Sequence, residues 1–225
     1  MRKTFLAITL FLAFSKAALA QFGNCTASEM RTYVDSATGN TITMLTDTMK
    51  NDRFLYQTDP MWTADGKYLL FRSSSRGNDK EVESTLPNGE KRKWTPTQIY
   101  FIEMATGKII QATEGPNLGS AFLANKTNRM FVSRKEKENW NMYVMDLDKF
   151  FADVKQGKVG KPSAYETFIG TFPTEMGRPG GYAVDCNDDY AYITVEREGT
   201  EEEKERMMKN AFLPESNQTV KIKPT

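Results

Sequence analysis

The stretch Gln57 to Ser73, QTDPMWTADGKYLLFRS, decides how this chain is read. It divides into a loop, a tight turn at Asp65-Gly66-Lys67 and a short apolar strand, Tyr68-Leu69-Leu70-Phe71. A short apolar run bounded by turn residues is the signal of a buried strand. Weaker copies follow downstream. Residues 125–128 lead into Arg129-Met130-Phe131-Val132, and residues 182–189 lead into Tyr190-Ala191-Tyr192-Ile193. With Phe71, Phe131 and Ile193 taken as equivalent, the copies lie 60 and 62 residues apart, and each is expected to be an inner strand.

Hairpin signals accompany these strands. Thr32-Tyr33-Val34 and Thr41 to Leu45 flank Ala37-Thr38-Gly39-Asn40, and Gln98 to Ile102 and Ile109 to Thr113 flank Ala105-Thr106-Gly107-Lys108. Glycine supplies the positive φ that such turns need. The two turn glycines are 68 residues apart. The excess over 60 is assigned to a polar insertion at 74–94 with a turn at Asn88-Gly89, and residues 47–58 read as a connecting loop. Met142 to Leu147 is expected to begin a further unit. Units of short strands repeating along a chain are the signature of propeller blades. The expected fold is all-β, a β-propeller of about three to three and a half blades in an incomplete ring, with a sandwich of hairpins as the competing architecture. Propellers close with roughly 4–8 blades, so the chain reads as the N-terminal part of a propeller domain, residues 21–225.

Residues 1–20 are expected to be a signal peptide. Arg2 and Lys3 precede an apolar run, and Ala18-Leu19-Ala20 forms a small-residue cleavage site. The protein is therefore expected to be periplasmic or secreted. Loss of Arg2, Lys3 and Lys16 leaves 27 basic residues against 29 acidic, a net of −2. That balance argues against nucleic acid or an anionic membrane surface as partner. Export permits a disulfide between Cys25 and Cys186, and two separate thiols fit the sequence equally well. Three Asn-x-Thr sequons, at Asn24, Asn125 and Asn217, carry no meaning in a bacterial periplasm. Residues 201–212, EEEKERMMKNAF, read as a short surface helix or a solvated loop, and residues 219–223 alternate like a strand.

The segments NDRFLYQTDPMWTADGKYLLF (51–71) and DSATGNTITMLT (35–46) resemble bacterial oligogalacturonate lyases, seven-bladed propellers with blades similar to TolB-type repeats. The likeness runs over roughly residues 31–198. In that family a TG hairpin ending in LT leads to an FYQ segment and a DGKKLLF strand; here these are Thr38-Gly39, Leu45-Thr46, Phe54-Leu55-Tyr56-Gln57 and Asp65 to Phe71. The resemblance implies pectin degradation by β-elimination of oligogalacturonides or related uronic-acid oligosaccharides. It also implies a divalent, manganese-like metal held by His and Gln. This chain has no histidine, so the family's base and metal ligands are not on it, and no metal is expected to be bound by this chain.

The residues nominated for substrate binding are Arg53, Tyr56, Gln57 and Arg178. Arginine pairs with carboxylates bidentately, and a tyrosine ring can cover a sugar face. Gln57 offers donors and acceptors to hydroxyls. Arg178 stands in a Gly-rich loop, RPGG, ahead of the third copy. Trp62, Trp94 and Trp140 are further candidate sugar platforms or blade packing. Asp185, Asp188 and Asp189 read as a turn, since a calcium loop demands a fuller pattern. No catalytic residue is nominated. Two other functions remain open: a non-catalytic TolB-like binding scaffold, and the propeller gate of a prolyl-oligopeptidase-type peptidase.

Overall fold

The computed structural model describes residues 21–77, 80–85, 89–172, 178–196 and 217–222. The expected signal peptide and the 201–212 helix lie outside the described residues. Strands dominate: β1 (Cys25–Thr26), β2 (Arg31–Val34), β3 (Thr41–Met44), β4 (Asp52–Arg53), β5 (Tyr68–Ser73), β6 (Val82–Thr85), β7 (Lys91–Trp94), β8 (Gln98–Glu103), β9 (Ile109–Gln111), β10 (Leu118–Leu123), β11 (Arg129–Glu136) and β12 (Asn139–Asp146). Helix α1 (Leu147–Gln156) follows, then β13 (Glu166–Phe172), β14 (Arg178–Val184), β15 (Ala191–Glu196) and β16 (Asn217–Ile222). All strand pairings are antiparallel among the described residues. The first sheet runs β1-β9-β8-β5-β4, the second β10-β11-β12-β13 and the third β14-β15-β16, with β2-β3 and β6-β7 as separate hairpins.

The opening stretch folds as read, and its apolar run has a physical reason. β5 lies between β4 and β8, and both of its faces are covered. Tyr68 and Leu70 join the core between the first and second sheets, whereas Phe71 faces the opposite side with Tyr100, Ile102 and Ile109. A strand buried on both faces loses its polar alternation. The second sheet contributes Phe122, Phe131, Met142 and Phe172 to another core, shared with Ala191 and Ile193 of the third.

The repeat is real, and its interval is 61. One backbone hydrogen bond, Thr63 N to Tyr68 O at 3.0 Å, recurs from Ala124 to Arg129 at 3.0 Å and from Asp185 to Tyr190 at 3.1 Å. Phe71 and Ile193 therefore correspond to Val132, not to Phe131. A slip of one residue turns a side chain to the other face of its sheet. Phe131 accordingly packs toward the third sheet and Val132 toward the first. In each sheet the repeated strand lies between two neighbours, with β4, β10 and β14 at the edge beside it.

Several boundaries differ from expectation. The loop 47–58 contains β4, which pairs with β5. The insertion 74–94 is exposed, as its charge suggests, and folds into the β6-β7 hairpin. The RPGG segment opens β14 instead of forming a loop, and its glycines fall where the β14-β15 register shifts between Pro179 and Tyr182. Glycine is at home at such irregularities. Cys25 and Cys186 are both exposed, free thiols. The two TG turns are alike: Gly39 and Gly107 have φ of 70° and 71°, and each donates to the residue four before it, Asp35 or Glu103.

Met142 to Leu147 does not begin a new unit. It completes the third strand of the second sheet and runs into α1. The Asp146 side chain accepts from Lys149 N at 3.0 Å and Gly157 closes the C-terminus, so the helix is capped at both ends. Leu147, Phe150 and Phe151 are buried. Phe151 stacks on Tyr68 of β5 at 3.6 Å, which lays the helix against the first sheet.

Equivalent turns of successive sheets clasp one another. Asp65 N donates to Asn128 Oδ1 at 3.2 Å. Asp188 does more. Its carboxylate accepts from the backbone of Asn125, Lys126 and Thr127 at 2.7–2.8 Å and from Thr127 Oγ1 at 3.0 Å. The acidic cluster of 185–189 is thus a turn, and one of its carboxylates is saturated by the neighbouring sheet. Burial pushes the Asp188 carboxyl up, but these donors outweigh it and hold it below the ordinary carboxylate range. Such a group stabilises the fold above its unfolded value of about 3.9, and the gain is lost as pH falls through the lower folded value. Asp188→Asn should cost about 2–3 kcal/mol at neutral pH, because an amide cannot satisfy the same donors with charge. In urea denaturation the gap between variant and parent should close as pH drops below about 3. An unchanged gap at low pH would show that the carboxylate is not responsible.

Candidate functional site

A cavity of about 400 Å³ lies beside the first strands of the first two sheets. That volume is within the ~300–1,000 Å³ usual for small-molecule sites. Asn51, Arg53, Arg72 and Ser74 form its first wall. Trp94, Pro96, Thr97 and Ile99 form another, and Pro116, Leu118, Gly119 and Ser120 form the third.

Strand alternation places the charges. Arg53 of β4 stands directly opposite Arg72 of β5, and Asp52 opposite Ser73. Neighbouring residues on a strand point to opposite faces. Asp52 therefore turns away from the cavity, where it meets Arg76 at 2.6 Å. Arg76 also takes Glu29 at 2.6 Å, and its side chain is only 6% exposed. Burial opposes its charge, and the hydrogen bonds of Asp52 and Glu29 more than compensate, so Arg76 stays charged. This triad fixes the approach to β4 and consumes the nearby carboxylates.

Arg53 and Arg72 are left without an acidic partner among the described residues. Arg53 Nε donates to Asn51 Oδ1 at 3.3 Å, and Arg72 reaches Phe54 O at 3.5 Å. Asn51 is itself tied to Ser74 Oγ at 2.8 Å, which joins the ends of the wall. Two like charges opposed across an antiparallel pair repel. An anion between them removes that repulsion and gains charge-assisted hydrogen bonds. Trp94 is 39% exposed and offers a ring face, while Ser74, Thr97 and Ser120 offer hydroxyls. The lining holds no carboxylate, lysine or tyrosine, so it can bind and orient an anion but supplies no general base.

Of the four nominated residues, Arg53 lines this cavity. Tyr56 and Gln57 sit on the exposed loop before β5 and are not among its lining residues. Arg178 begins β14, the first strand of its sheet as β4 is of the first, and its side chain lies outside the described ones. The sequence reading missed Arg72 as a partner, although it stands within the decisive stretch. Its signal was a charge breaking an otherwise apolar strand. Of the three tryptophans, Trp94 lines the cavity, Trp140 packs against the core between the second and third sheets, and Trp62 is exposed.

No family model matches this chain, and no curated protein matches it. Its fold is shared with solved structures, two of which are oligogalacturonate lyases. One is an oligogalacturonate lyase in complex with manganese, 20% identical, with a TM-score of 0.55. The other is an oligogalacturonate lyase from Vibrio parahaemolyticus, 20% identical, with a TM-score of 0.54. Each alignment covers 78% of this chain and 38% of the solved one, so the chain spans well under half the length of these structures. The described residues do not bring together a ligand set for a manganese ion. The chain has no histidine, and no group of three or more Cys, Asp or Glu converges among the described residues.

Proposed function

We propose that this chain is the uronate-binding part of an exported, pectin-degrading protein of the oligogalacturonate-lyase type, folded as three to three and a half blades of a β-propeller. The observation that carries the proposal is the opposed pair Arg53 and Arg72, charged, without acidic partners among the described residues and open to a cavity walled by Trp94. It is suited to a sugar carboxylate lying under an aromatic face. The blade reading rests on the 61-residue recurrence and on cores shared between successive sheets. The β2-β3 hairpin repeats the turn geometry of β8-β9 and supplies the half blade.

β-Elimination needs a base at the proton beside the carboxylate and a positive charge to hold the developing anion. The two arginines supply only the second. The base would therefore come from outside the cavity lining, and the lining by itself binds without cleaving. Isothermal titration with digalacturonate should give saturable, salt-sensitive binding. Absorbance of the unsaturated product should stay flat, with or without added manganese. Equal affinity for an uncharged disaccharide, or none for digalacturonate, would defeat the reading.

A binding scaffold is the second reading. The β2-β3 hairpin favours it, because Tyr33 and Val34 are 48% and 64% exposed on a sheet of two strands. It predicts no uronate affinity in the same titration.

A further inference from the structure

The β6-β7 hairpin carries a cation that the cavity does not use. Val82 pairs with Trp94 and Ser84 with Arg92, so Arg92 and Trp94 share one face of the hairpin. Lys91 and Lys93 occupy the other face, where Lys91 is held by Glu83 at 2.7 Å. Arg92 is exposed and has no ion pair among the described residues. It stands two residues from the cavity wall, about 7 Å along the strand. The cationic lining thus continues from Arg53 and Arg72, past the Trp94 ring, out along an arm projecting from the first sheet.

We propose that this hairpin is a chain-length-selecting arm, in which Arg92 receives the carboxylate of a second uronate when the first is held by Arg53 and Arg72. The inference rests on the uronate reading of the cavity. A single uronic acid held by Arg53 and Arg72 does not reach Arg92; a linear polyuronate continues past Trp94 and does. Only a ligand with charges repeating along its length meets both sets of cations, whereas an uncharged glycan meets neither with gain.

Titration of the full chain with galacturonate, trigalacturonate and maltotriose tests this. Trigalacturonate should bind more than tenfold tighter than galacturonate, which exceeds its threefold advantage in number of units, and maltotriose should bind negligibly. Arg92→Ala should weaken trigalacturonate about three- to fivefold, as expected for an exposed ion pair, and leave galacturonate unchanged. Arg92→Lys should restore part of the loss. If Arg92→Ala weakens both ligands equally, or neither, the arm has no such role while the cavity reading stands. If the parent protein binds galacturonate and trigalacturonate no better than maltotriose, the cavity reading fails and the arm with it.

Discussion

Arg72→Gln lowers affinity for digalacturonate by about 10- to 100-fold, the loss that follows from removing one charge-assisted pairing. Arg53→Gln does the same, and the double variant abolishes measurable binding. Stability moves the other way. The two guanidinium groups are opposed across β4 and β5 without acidic partners among the described residues. Like charges directly opposite destabilise a sheet, so neutralising either one leaves the melting temperature unchanged or raises it slightly. Loss of binding with retained or improved stability is the mark of a functional site held at some cost to the fold. Calorimetry and thermal denaturation on the same samples measure both effects. Variants that melt earlier and bind normally would assign these arginines a structural task instead.

Phe150→Ala should destabilise the protein by about 3–5 kcal/mol, the usual result of emptying a buried phenylalanine site. Phe150 is fully buried in α1, with its ring 5.0 Å from that of Phe22, 5.4 Å from Phe151 and 5.5 Å from Tyr165. It therefore ties the N-terminal segment, the helix and the approach to β13 into one core. At roughly 2–4 °C per kcal/mol for a chain of this size, the melting temperature should fall by about 10 °C. Phe168→Ala is the control. Phe168 is 52% exposed on β13, and its removal should cost under about 1 kcal/mol. Equal effects from the two variants would mean that the helix is not docked as described.

The helix also shows what periodicity could have found. Asp146, the apolar positions Leu147, Phe150, Phe151 and Val154, and Gly157 spell a capped amphipathic helix. The preceding apolar strand drew the reading toward a second strand unit. The Asp188 clasp was less accessible. Its aspartates were legible as a turn, but the donors that saturate it come from residues 125–127, about 60 residues earlier in the chain.

By itself the sequence determined that the chain is all-β, that a turn and a buried strand recur, where two hairpin glycines lie, and that histidine chemistry is absent. These follow from local composition and short periods, which act within a few residues. Tertiary structure alone decided the rest. The stretch 57–73 supplies an apolar strand, but the function proposed for its end depends on Arg72 facing Arg53. That pairing is set by antiparallel register across a loop and by the Arg76 triad that turns Asp52 away. The repeat interval of 61 was likewise fixed by one recurring backbone hydrogen bond, since side-chain likeness alone left the register ambiguous by one residue. Register is a non-local property: one step exchanges the core face for the other, and only the assembled sheets select the correct step.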